Sequence, residues 1–135
     1  MTKLEIAAIY SAINILILVV LIVRVVQARR ANRVVLGDGG VPALLRAIRA
    51  HGNAAETMPV AIGALLFLAY LDSVPAWTVH LLGGAFTLGR FAHAYGVSTY
   101  AGIGPGPGRM IGVVLTLFSL AGFAAAMFWG AFVHG

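Results

Sequence analysis

Long windows without formal charge, divided by short charged stretches, dominate this sequence. Residues 6–23 form an uncharged run of 18, residues 57–71 one of 15, residues 73–89 one of 17, and residues 110–135 one of 26. A helix crossing the hydrocarbon core of a bilayer needs about 20 mostly apolar residues. The first and last windows meet that length directly. The third meets it if its helix runs a turn past Arg90. The second needs a helix that begins near Pro42, with its polar residues turned into a bundle. Lipid offers no partner to backbone N–H and C=O groups, so helices are the economical reading throughout. The expected fold is an all-α membrane protein, a single four-transmembrane-helix bundle over residues 1–135. Its spans fall near 5–27, 42–71, 75–96 and 109–132.

Composition closes the alternatives. Charged residues make up 10% of the chain and hydrophobic ones 61%, whereas soluble domains carry about a quarter charged residues. A disordered chain and a water-soluble globule are therefore excluded. The net charge of +5 does not point to nucleic acid, because there is too little polar surface to build such an interface. With no cysteine, no disulfide framework, thiolate zinc site or Cys nucleophile is available. No His has a carboxylate at ligand spacing, so no metal site is expected. The first window is longer than the ~7–15 apolar residues of a signal peptide. The residues after it, Gln27-Ala28-Arg29-Arg30, do not form a small-residue cleavage site, so the window reads as a permanent span.

Turn residues punctuate the spans. Gly37-Asp38-Gly39-Gly40 can adopt positive φ, and Pro42 suits the first turn of the next helix. Asp72-Ser73-Val74-Pro75 makes a tight connection. Gly102-Ile103-Gly104-Pro105-Gly106-Pro107-Gly108 breaks the chain before the fourth span. It lacks both the glycine spacing and the preceding strand of a nucleotide loop. Charge is distributed unevenly across these connections. One side holds Arg24, Arg29, Arg30, Arg33, Asp38, Arg46, Arg49, Glu56, Arg90 and Arg109, the other Lys3, Glu5 and Asp72, or +6 against −1. The positive-inside rule then places both long loops in the cytoplasm and both termini outside.

The helix from Pro42 carries the most informative pattern. Arg46, Arg49, Asn53 and Glu56 are spaced 3, 4 and 3 apart and share an arc of about 80°. A polar stripe entering a span faces a bundle interior or a partner subunit, either as a packing network or as a ligand face. This predicts a buried Glu56. Arg90 and His93 lie one turn apart near the end of the third span. They read either as a snorkelling Arg with an interfacial His or as residues of one cavity. Arg109 opens the fourth helix, where free N–H groups and the dipole already attract anions. It is a topology anchor or, if a thiol binds there, a group that favours the thiolate. Arg29, Arg30 and Arg33 most simply meet lipid phosphates. Gly122, Ala126 and Gly130 form a close-packing stripe, and Trp77, Tyr95, Tyr100 and Trp129 suit interfacial belts. A fitting ligand for the arginine-rich half would be a small, mostly anionic molecule with one cationic group. Glutathione, with two carboxylates, an ammonium and a thiol, has that description.

Four segments resemble the MAPEG family (membrane-associated proteins in eicosanoid and glutathione metabolism). They are Ala28-Arg29-Arg30-Ala31-Asn32-Arg33-Val34, Arg49-Ala50-His51-Gly52-Asn53-Ala54-Ala55-Glu56-Thr57-Met58-Pro59, Gly89-Arg90-Phe91-Ala92-His93, and Arg109. The second resembles the signature R-A-x-x-N-x-x-E-x-x-P. The loop with Gly37-Asp38-Gly39-Gly40 resembles the short bacterial branch. The resemblance implies a homotrimer in a bacterial inner membrane, with glutathione held between subunits near the cytoplasmic side. It implies that Arg29, Arg49, Asn53, Glu56, Arg90 and His93 bind glutathione and that Arg109 stabilises the thiolate. The implied activity is a glutathione transferase or peroxidase acting on lipophilic electrophiles or hydroperoxides drawn from membrane lipid. Leu45, Thr57 and Val97 depart from the family pattern, which often has Glu, Tyr and Tyr there. A non-catalytic lipid- or glutathione-binding protein of the same fold is the alternative. A four-span exporter ranks below both, because the acidic residues lie only at span ends or in the polar half of the second helix, not where a coupling site would usually stand.

Overall fold

The computed structural model of the chain describes residues 1–99 and 106–133. Four helices follow in order: α1 (Lys3–Asn32), α2 (Pro42–Tyr70), α3 (Ala76–Thr99) and α4 (Pro107–Val133). Among the described residues there is no strand. Helices α1, α2 and α4 are each long and apolar enough to cross a membrane. Helix α3 has 24 residues, a length of roughly 36 Å at 1.5 Å per residue. It carries three buried polar residues, Thr87, Arg90 and His93. The protein is thus an all-α, four-helix membrane bundle.

Local chemistry explains the ends. Thr2 caps α1 with a reciprocal capping box: its hydroxyl accepts from Glu5 N at 3.2 Å, and the Glu5 carboxylate accepts from Thr2 N at 2.9 Å. Two of the four orphan N–H groups are satisfied in this way. The helix stops at Arg33, which takes the left-handed conformation (φ 54°). Gly37, Gly39 and Gly40 all have positive φ, the freedom expected of that loop, and Pro42 occupies the first turn of α2. Helix α2 does begin at Pro42, as its short apolar window required. Helix α3 runs further past Arg90 than the single turn expected. Its added residues keep two faces, with His93 and Gly96 turned inward and Phe91 and Tyr95 exposed. Tyr100, residues 101–105 of the glycine-proline loop, and residues 134–135 lie outside the described residues.

Helix α3 packs against all three others, while α1 and α4 make no contact among the described residues. The core runs along this central helix and includes Ile6, Ile17, Leu21, Leu65, Leu68, Val79, Phe86 and Phe123. Glycines set the closest approach. A Cβ on Gly112 of α4 would fall 2.5 Å from the backbone nitrogen of His93, so only a residue without a side chain lets the two backbones meet there. Further along α4, Gly122 abuts Leu82 and Gly130 abuts Leu71, while Ala126 packs on the core. The small-residue stripe therefore serves packing within the chain. Trp77, Tyr95 and Trp129 are all exposed, as residues facing lipid headgroups would be.

Candidate functional site

All four helices meet at one end of the bundle around a cavity of about 1040 Å³. The last turns of α1 supply Arg29, and the glycine loop supplies Gly37 and Asp38. The first half of α2 supplies Arg46, Arg49, Asn53 and Glu56. The end of α3 supplies His93, Gly96 and Val97, and the start of α4 supplies Arg109. The 3-4-3 spacing on α2 thus does what helical geometry requires, turning all four polar side chains to one wall. Arg49 and Glu56 are exposed on that wall and Asn53 is half-buried. Glu56 therefore departs from the burial its stripe predicts. It is exposed because the polar face of α2 borders the cavity, and packing falls to the opposite face with Ala50, Ala54 and Met58.

Each remaining group is held by its own local cause. Arg29 donates through Nη1 to the carbonyls of Val35 at 3.2 Å and Gly37 at 2.9 Å. It therefore pins the loop that carries Asp38 while also lining the cavity. Asp38 in turn accepts from Gly40 N at 3.0 Å, which closes an Asx-type turn. His93 is 5% exposed and borders the cavity beside Gly96. Arg109 stands in the first turn of α4 and is exposed. Its cation sits where the helix also offers free N–H groups and the positive end of its dipole.

Arg90 behaves differently from the expectation that it would line the site. It is 2% exposed and stands one layer behind the cavity. Its Nη1 donates to Oδ1 of Asn53 and, at 3.2 Å, to Oγ1 of Thr57, and its Nη2 donates to Oγ1 of Thr116. The guanidinium carbon lies 5.6 Å from the centre of the Phe86 ring, within cation–π range. Three residues along a helix is 300°, so a His93 that faces the cavity turns Arg90 about 60° aside, towards α2 and α4. This also excludes a snorkelling role. Six of the seven expected site residues, Arg29, Arg49, Asn53, Glu56, His93 and Arg109, share the cavity. Arg46 and Asp38 join them without having been assigned to the site. Arg46 lies on the same stripe as Arg49 and is findable from spacing. Asp38 carries no such signal, since its position depends on how the loop folds.

The wall carries four arginines and one asparagine with two carboxylates among them, so donors for an anion and acceptors for a cation stand side by side. Arginine forks can grip carboxylates in bidentate fashion. Fold and site together define a four-helix membrane protein with an arginine-walled cavity at one end of its bundle.

The chain belongs to the MAPEG family, whose model matches residues 7–129. It is 40% identical over 91 residues to the inner membrane protein YecN of Escherichia coli strain K12, a match covering 67% of this chain and 69% of that protein. YecN of Escherichia coli O6:H1 matches to the same extent.

Proposed function

We propose that the protein is a glutathione-dependent transferase or peroxidase acting on lipophilic electrophiles or hydroperoxides in the inner membrane. The observation that carries this reading is the convergence of Arg29, Arg49, Asn53, Glu56, His93 and Arg109 on one cavity, joined to membership of the family. The residues suit the ligand. Arg49, with Arg29 and Asn53, would take its carboxylates, and Glu56 would take its ammonium. Glutathione supplies the thiol. Arg109, at the α4 N-terminus, would stabilise its thiolate form, the nucleophilic species. Attack on an electrophilic carbon makes the S–C bond, and the leaving group departs with its electron pair. The thiol proton passes to water. The site would lie near the cytoplasmic side, with both termini outside and neighbouring copies completing the cavity in a homotrimer.

The test uses purified protein in detergent, glutathione and a model aromatic electrophile. Turnover above the blank that falls on Arg109→Ala supports the enzyme. Turnover equal to the blank, unchanged by that substitution, overturns it. Glutathione at a hundred times its Kd should also stabilise the fold by about 2.7 kcal/mol if it binds only the folded state. One observation favours a second reading, binding without catalysis. Among the described residues the cavity lining holds no hydroxyl, since Val97 faces it and Tyr95 does not. That reading predicts the stability shift without turnover.

A further inference from the structure

The polarity of one position on the cavity wall is set from behind it. A guanidinium carries only donors and no lone pair. Arg90 is 2% exposed, and its Nη1 donates to Oδ1 of Asn53. Its other partners have no freedom to reverse roles. The Thr57 hydroxyl donates its single proton to the backbone carbonyl of Asn53 at 2.8 Å, and the Thr116 hydroxyl donates its own to the backbone carbonyl of Gly112 at 2.7 Å. Both hydroxyls can therefore only accept from Arg90. Its Nε is buried with no partner. A cation enclosed in this way has every reachable acceptor turned towards it. The two arms of a carboxamide point apart, so an Asn53 that turns its oxygen inward to Arg90 turns its NH₂ group outward. Asn53 lines the cavity.

We propose that Arg90 is a positioning residue: it makes Asn53 present Nδ2 to the cavity, so the ligand atom held at Asn53 is an acceptor, a carboxylate or amide-carbonyl oxygen. This rests on the reading that the cavity binds a small anionic ligand such as glutathione, and it corrects the expectation that Arg90 itself touches that ligand. The competing account is that Arg90 merely clamps α2, α3 and α4 together.

The experiment titrates glutathione into the full chain in detergent. Arg90→Met frees the amide to turn over and weakens binding roughly tenfold, the value of one charge-assisted hydrogen bond. Arg90→Lys, still a donor only, restores most of the affinity. Asn53→Ala weakens binding by a similar factor and removes the sensitivity to Arg90→Met. If Arg90→Met weakens binding by the same factor with or without Asn53, Arg90 acts independently of it and the proposal is overturned. Asn53→Asp needs no change at Arg90. It pairs with the guanidinium, raises the thermal midpoint, and offers the cavity an acceptor in place of a donor, so glutathione binding falls at least tenfold. Unchanged affinity in that variant also overturns the proposal. If the unmodified protein binds no glutathione, the functional reading fails, and the thermal midpoints decide the positioning role alone. Asn53→Asp must then stabilise only when Arg90 is present, and a like shift in Arg90→Met sinks it.

Discussion

Gly96 of α3 lies against the backbone nitrogen of Arg109, so close that a Cβ at position 96 would overlap it. The helix that lines the cavity with His93 and Val97 thus also sets where α4 begins. Gly108 reciprocates, since a Cβ there would meet the Ala92 carbonyl at 3.1 Å.

Gly96→Ala should accordingly push the start of α4 away and carry Arg109 with it. Overpacking of this kind destabilises by about 1–3 kcal/mol. Glutathione affinity should fall as it does for Arg109→Ala, although no charged group has been removed. Thermal unfolding in detergent and a binding titration on one sample would read both effects. An alanine variant with unchanged stability and affinity would show that the close approach is not needed.

Asn14 of α1 is fully buried and donates through Nδ2 to the Tyr10 carbonyl and to Oγ1 of Thr87 on α3, both at 2.8 Å. A polar pair between membrane helices contributes about 0.6 kcal/mol on average and up to about 1.7. A cycle built from Asn14→Leu, Thr87→Val and the double variant should return a coupling in that range. A coupling indistinguishable from zero would mean that the two helices are held by apolar packing alone at this level.

Arg29 ties its own helix to the loop beyond it through the Val35 and Gly37 carbonyls. Arg29→Ala should speed amide hydrogen exchange across residues 34–40 and weaken glutathione binding. Arg29→Lys keeps the charge but replaces the rigid guanidinium, whose Nη1 meets both carbonyls, with a flexible ammonium. It should therefore loosen the loop while retaining more of the affinity than alanine does. Exchange rates in residues 34–40 that ignore the alanine substitution would show that the glycine loop holds itself.

Thr2→Ala removes one half of the α1 capping box and should lower stability by about 1 kcal/mol. The midpoint of thermal unfolding checks this, and Thr2→Ser, which keeps the hydroxyl, should restore it. Equal midpoints for alanine and serine would show that the cap is not used.

Much of this arrangement could be read from residue order. The uncharged windows predicted four helices and required α2 to start near Pro42, because lipid leaves a backbone no other way to satisfy itself. The spacing of Arg46, Arg49, Asn53 and Glu56 predicted one shared wall, because rotation per residue in a helix is constant. The facing of Arg90 was less accessible. Spacing alone allowed it to share a cavity with His93, and a 60° difference in facing was enough to hide it behind Asn53.

Residue order alone specifies which segments are helical, which helix faces are polar, and that the basic residues gather at one end of the bundle. These are local consequences of helix geometry and of the exclusion of charge from hydrocarbon. Packing of the helices against one another fixes which cations line the cavity and which are sealed behind it. It also dictates that Arg29 spends one nitrogen on a loop and that Gly96 sets the place of Arg109. Those outcomes depend on contacts between residues distant in the chain, where a rotation of tens of degrees or the absence of one methyl group determines what touches what.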